Sequence, residues 1–89
     1  MKLVFSDAAW EDYLWWQSPG HEKGLARVNE LIKDASRVPF KGLGKPEPLK
    51  GDLSGWWSRR ITDEHRFVYR VSGTGAAQAL EIAQLRYHY

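Results

Sequence analysis

WWSRRITDEHRFVYRV, residues 56–71, is the stretch on which the fold turns. Two runs rich in aromatic and β-branched side chains, WWSRRI (56–61) and RFVYRV (66–71), flank the polar tetrapeptide TDEH (62–65). Strand formers on either side of a polar turn predict a β-hairpin. Alternation in the second run sends Phe67, Tyr69 and Val71 to one face and Arg66, Val68 and Arg70 to the other. Such a hairpin has one apolar side to cover, so the rest of the chain must supply a layer to cover it.

Following the hairpin, SGTG (72–75) predicts a turn and a last strand from about Gln78 to the end. Simple alternation places its Leu80 and Ile82 on the same face as Arg86 and His88. Before the hairpin, PFKGLGKPEPLKGDLSG (39–55) keeps no period and reads as loop. Leu25, Val28, Leu31, Ile32 and Ala35 form one helical stripe that stops near Arg37, because Pro39 follows. SPG (18–20) separates that helix from an earlier one over residues 7–17, with Trp10, Tyr13 and Leu14 at helical spacing. Ser6 is its natural N-cap and Asp7 suits its first turn. KLVF (2–5) alternates as a first strand. The order is β-α-α-β-β-β, an α+β fold of two helices packed on a twisted, mainly antiparallel sheet in one domain, residues 1–89.

Composition narrows the function classes. No cysteine is present, which removes disulfides, thiolate metal ligands and thiol nucleophiles. No apolar signal region or membrane-length run occurs, so a cytoplasmic protein without membrane association is expected. The net charge of +2 resides in one half: acids balance bases over residues 1–44, and residues 45–89 carry the excess. Arg59, Arg60, Arg66 and Arg70 crowd into twelve residues of the hairpin. Like charges on neighbouring strands repel, which favours a polyanionic partner over a merely solvated face balanced by Asp63, Glu64 and Glu81. Arg86 is expected to extend this patch.

Three further features bear on chemistry. In KPEPLK (45–50), Lys45 and Glu47 each precede a proline and are pushed towards extended backbone, so Glu47 is held stiffly, as a general base must be. Taken alone, the same segment also reads as an ordinary proline-stiffened surface loop. LRYHY (85–89) closes the chain with an arginine, a histidine and two tyrosines where chains usually fray. His88 is the candidate acid; His65 reads as a structural or solvated turn residue, and His21 as exposed. Trp10, Trp15 and Trp16 read as helix-packing or core residues, while Trp56 and Trp57 take opposite faces. A carboxylate, a histidine and several arginines, with no recognisable metal-ligand cluster, match metal-free RNA cleavage, in which the ribose 2′-OH is the internal nucleophile. No cofactor is called for.

NELIKD (29–34), KPEPLK, LSGWWSRRIT (53–62), EHRFVY (64–69) and the terminal RYHY (86–89) together resemble the YoeB-type toxins of the RelE/ParE superfamily, along the whole chain. The resemblance implies a RelE-like fold and an mRNA interferase that enters the ribosomal A site. It implies Glu47 as general base, Arg66 as transition-state stabiliser and His88 as general acid, with Tyr89 positioning substrate and Lys50 and Arg60 around the scissile phosphate. It further implies a cognate antitoxin of the YefM/Phd kind, with a disordered acidic segment that wraps the toxin, the ribosome and mRNA as partners, and room for a homodimer. Departures lie in SPGHEKG (18–24) and SGTGAAQ (72–78), which bear on dimer and ribosome contacts. Two other readings stand beside this one: a non-catalytic superfamily member that inhibits DNA gyrase, and a plain RNA-binding module.

Overall fold

Ser6 opens the first helix as its sequence predicts: its Oγ accepts the Ala9 N–H at 3.0 Å and donates to the Ala83 carbonyl at 2.9 Å. The structure, a computed structural model, describes residues 1–88. Its elements are β1 (Lys2–Phe5), α1 (Asp7–Trp16), α2 (Glu22–Arg37), β2 (Glu47–Pro48), β3 (Trp57–Arg60), β4 (Arg66–Ser72) and β5 (Ala79–Gln84). Single 3₁₀ turns occur at Gly51–Leu53 and Gly75–Ala77. The five strands form one mixed sheet in the order β1-β5-β4-β3-β2, with β1 parallel to β5 and the other neighbours antiparallel. No helix among the described residues is long and apolar enough to cross a membrane.

Both helices cover one face of the sheet. Val28, Leu31, Ile32 and Ala35 of α2, with Ala9 and Trp16 of α1, pack on Phe67, Tyr69, Leu80, Ile82 and Leu85. The α2 stripe is therefore the core-facing side its spacing predicts, with Leu25 at the margin. Gly24 looks out of place inside a helix, where glycine costs about 1 kcal/mol against alanine. The reason is contact: a Cβ there would lie 2.0 Å from Cζ3 of Trp16. Trp16 is buried, whereas Trp10 is 47% exposed and stacks on Tyr13 instead of entering the core. Trp57 packs towards the core beside Phe40, and Trp56 lies under the Arg70 guanidinium, so the two do take opposite sides.

Three expectations need correction. The segment 39–55 is not all loop: Glu47 pairs with Ser58 and Pro48 with Trp57, adding an edge strand. An edge tolerates proline because the missing N–H would point away from the partner strand. Within that segment Lys45 is not extended but left-handed, with φ of 53°. The Gly44 carbonyl beside it accepts the Arg60 N–H at 2.7 Å, so the turn is fixed by β3. Finally, the last strand ends at Gln84, and its register slips: Tyr69 pairs with Ile82 but Val68 with Gln84. That bulge at Ala83 reverses the alternation, because a one-residue slip moves every later side chain to the other face. Leu85, not Arg86 or His88, therefore joins Leu80 and Ile82 in the core, fully buried.

Candidate active site

The hairpin turn is folded around a guanidinium. Thr62 Oγ1 accepts the N–H groups of Glu64 at 3.2 Å and His65 at 3.1 Å, which closes the turn. Three turn carbonyls are thereby aimed inward, and Nη1 of Arg66 donates to those of Thr62 (2.7 Å), Asp63 (3.2 Å) and His65 (3.1 Å). Arg66 is only 8% exposed, so its orientation is set by this cage. No hydrogen bond among the described residues uses its Nε or Nη2, the edge that can meet a phosphate.

The C-terminal segment is led to the same turn. Beyond the bulge, the Leu85 N–H donates to Asp12 Oδ2 (2.9 Å) and the Leu85 carbonyl accepts from the Trp16 indole (2.8 Å). Tyr87 then adopts a left-handed φ of 62°. Its N–H donates to His65 Nδ1 at 2.8 Å, and its carbonyl accepts the Arg66 N–H at 3.1 Å. His88 Nε2 comes to 3.2 Å from the Asp63 carbonyl, the oxygen that also holds Arg66 Nη1. Thus one backbone oxygen brings together the two residues proposed for transition-state charge and proton donation.

Glu47 approaches from the other edge. Register carries its position across the sheet, from Ser58 to Val68, with Arg60 directly opposite Arg66. Because Phe67 and Tyr69 face the helices, Glu47, Ser58, Arg60, Arg66 and Val68 share the opposite face. Two strand spacings and two residues of rise put the Glu47 and Arg66 Cα atoms roughly 12 Å apart, room for a ribose and phosphate between the side chains. Arg60 is exposed there, and Lys50 is exposed just beyond β2.

Two basic residues assigned to substrate belong elsewhere. Arg59 is fully buried. Its Nε donates to Tyr69 Oη (3.0 Å), Nη1 to Asp34 Oδ2 (2.7 Å) and the Leu43 carbonyl (3.0 Å), and Nη2 to the carbonyls of Val38 (2.7 Å) and Lys41 (3.0 Å). All five donors of the guanidinium are engaged, so it organises the loop after α2 and cannot touch RNA. The Arg59 hydrogen bond in turn holds the Asp34 carboxyl below its ordinary value. Arg86 does not extend the Arg60–Arg66 face: its Cζ lies 4.2 Å from the Trp15 ring centroid and 4.6 Å from that of Tyr87. Arg70 pairs with Glu81 at 2.9 Å, the neutralisation its bland reading expected. The Tyr89 assignment lies outside the described residues.

The histidines rearrange the sequence picture as well. His21 is not exposed but stacks on Trp15, with centroids 3.9 Å apart. His65, read as a structural or solvated turn residue, takes the structural alternative: it is the acceptor that fixes Tyr87. Burial, foremost, lowers its pKa from the usual 6.5, with Arg86 and His21 acting the same way against Glu64 and Asp12. Its only sequence signal is its place beside Arg66, since its partner is 22 residues away.

A carboxylate and an imidazole on either side of a caged guanidinium are groups of the kinds that can move protons and offset charge at a phosphate ester. Known proteins resemble the chain in both sequence and fold. The sequence model of one family, described as YoeB-like toxin of bacterial type II toxin–antitoxin system, matches residues 5–89. Toxin YoeB of Escherichia coli K12 is 55% identical over 89 residues, covering all of both chains. The solved YoeB/ParE toxin of Agrobacterium tumefaciens is 58% identical with a TM-score of 0.94, again over the whole of both chains. YoeB of Staphylococcus aureus, 41% identical, has been solved as a dimer (TM-score 0.86) and in complex with YefM (0.85), each over 100% of this chain and 98% of that one.

Proposed function

Since the chain belongs to the family of YoeB-like toxins of bacterial type II toxin–antitoxin systems, we propose that it is a ribosome-dependent endoribonuclease that cuts mRNA in the A site by metal-independent acid–base chemistry. The Glu47 carboxylate takes the proton of the ribose 2′-OH. The 2′-oxygen attacks phosphorus, and the Nε–Nη2 edge of Arg66, with Arg60 and Lys50 nearby, offsets charge on the phosphorane oxygens. His88 gives its proton to the departing 5′-oxygen as the P–O5′ bond breaks, leaving a 2′,3′-cyclic phosphate and a 5′-hydroxyl. Tyr89 helps position the substrate.

The observation that carries this reading is the Asp63 carbonyl, which Arg66 Nη1 and His88 Nε2 approach to the same distance of 3.2 Å. Partners follow from the same reading. The antitoxin is a YefM/Phd-type protein whose acidic segment covers the Arg60–Arg66 face, and a homodimer is the second assembly, as the S. aureus relatives illustrate.

Primer extension on mRNA with a defined A-site codon in programmed ribosomes tests it. EDTA-treated wild-type protein should give one cut at the A site. Glu47→Ala and His88→Gln should each slow single-turnover cleavage by about 10²–10⁴-fold, the range for general acid–base groups. Stalling without cleavage, the same in all three, would make the protein a blocker that binds without cutting.

A further inference from the structure

No step above uses His65, yet the C-terminal segment depends on it. Tyr87 holds a left-handed φ of 62°, a region that L residues other than glycine and asparagine seldom occupy unless their surroundings impose it. Consecutive residues impose it here: His65 Nδ1 accepts the Tyr87 N–H at 2.8 Å, and the Arg66 N–H donates to the Tyr87 carbonyl at 3.1 Å. The ring of His65 is walled by Trp15 (5.6 Å between centroids), Trp16 (5.2 Å) and Tyr87 (5.5 Å), so it cannot turn away. His88 follows directly, and its approach to the Asp63 carbonyl depends on the backbone direction that Tyr87 sets.

We propose that His65 is a positioning residue whose unprotonated Nδ1 locks the left-handed turn at Tyr87 and thereby presents the His88 imidazole to the leaving oxygen, and that protonating His65 releases the lock. This rests on the nuclease reading given above. An Nδ1 that accepts an N–H carries no proton, so the neutral ring keeps its hydrogen on Nε2. An imidazolium would present N–H against N–H. The titratable and charged groups facing the ring are Glu64 from the turn, Asp12 from α1, His21 at the start of α2 and Arg86 from the C-terminal segment, and burial, foremost, favours the neutral form.

Single-turnover cleavage on programmed ribosomes would be compared for wild type, His65→Asn, His65→Leu, His88→Gln and the His65→Leu/His88→Gln double variant. Melting curves and the Tyr87 amide resonance of the free protein would be recorded alongside. Leucine fills the site but accepts nothing, and should lower kcat about 10–100-fold, the usual cost of losing an orienting partner, with KM changed less than about two-fold. Asparagine places an oxygen near Nδ1 and should recover most of that loss. It should also remove the part of the wild type's fall in rate on the acid side of 6.5 that protonation of His65 contributes, which a purely structural residue would not do. Because His65 acts through His88, the double variant should be no slower than His88→Gln alone.

A His65→Leu protein that cuts at the wild-type rate, or a double variant whose losses multiply, would overturn the inference while leaving the nuclease reading intact. Wild type that stalls ribosomes without cutting would instead sink the nuclease reading. The lock would then be judged by the Tyr87 amide: a shift that follows the His65 titration supports it, and an indifferent one refutes it.

Discussion

Arg59 and Arg60 are adjacent, carry the same charge and do unrelated jobs. Alternation in β3 turns Arg59 towards the helices and Arg60 away from them. Removing one partner of a buried ion pair costs about 3–5 kcal/mol, because the other charge is left unpaired. Arg59→Ala should therefore lower unfolding free energy by that amount in urea titration, while Arg60→Ala, at an exposed site, should change it by less than about 0.5 kcal/mol. The pH dependence follows from Asp34, whose folded pKa is depressed below 3.8, chiefly by the Arg59 hydrogen bond. A depressed carboxylate contributes stability that is present above its unfolded value and is lost as pH falls through the folded one. Wild type should thus lose stability below 3.8 by a component that is smaller in Arg59→Ala, where only the Leu43 N–H and Arg37 still hold the carboxylate. That Arg59 and Arg60 cannot share a face was legible in the alternation itself. What hid the outcome is that fully buried arginines are rare, and nothing local shows that Asp34, three loop carbonyls and a tyrosine will assemble round one.

The elements were legible in proportion to their length. Sixteen residues of α2 carry a stripe that repeats several times, and the hairpin's two arms reinforce one another. β2 has two residues, one of them proline, so it has no period and exists only through β3. The bulge in β5 is equally silent, since AQLRYHY reads as unbroken alternation until pairing with β4 fixes where the slip falls. This matters for the site, because the slip buries Leu85 and starts the C-terminal segment towards the turn. Gly24 was also read past, and its purpose is likewise a contact between elements. Gly24→Ala should gain roughly 1 kcal/mol of helix propensity. It should lose about 1–3 kcal/mol to overpacking, because Trp16 must move from a 2.0 Å clash. Since the Trp16 indole also holds the Leu85 carbonyl, a shifted tryptophan fluorescence and a slower nuclease should accompany the lower denaturation midpoint. A Gly24→Ala protein more stable than wild type would show that the ring has room to yield.

At the scale of the molecule, charge is divided by layer. Acids and bases cancel over residues 1–44, which build both helices and the edge strand β1, and the excess lies in the half that builds the other four strands and the basic face. Once Arg59, Arg70 and Arg86 are accounted for by Asp34, Glu81 and the aromatic rings of Trp15 and Tyr87, three cations on or beside that face, Lys50, Arg60 and Arg66, are the proposed phosphate contacts, and Lys45 stands exposed in the turn before β2. Binding of single-stranded RNA releases counterions in proportion to the phosphates neutralised, with a slope of log affinity against log salt near −0.7 per contact. Three contacts predict a slope of roughly −2 for an oligonucleotide made uncleavable by a 2′-deoxy sugar at the cut site. Lys50→Gln and Arg60→Gln should each flatten that slope by about 0.7 and weaken binding to any sequence alike. Arg70→Gln should leave it unchanged, because Arg70 is already paired with Glu81. A slope that responds to Arg70 as strongly as to Arg60 would mean that the RNA runs further along β4 than the caged arginine and the C-terminal segment require, and that the Arg70–Glu81 pair opens to receive it.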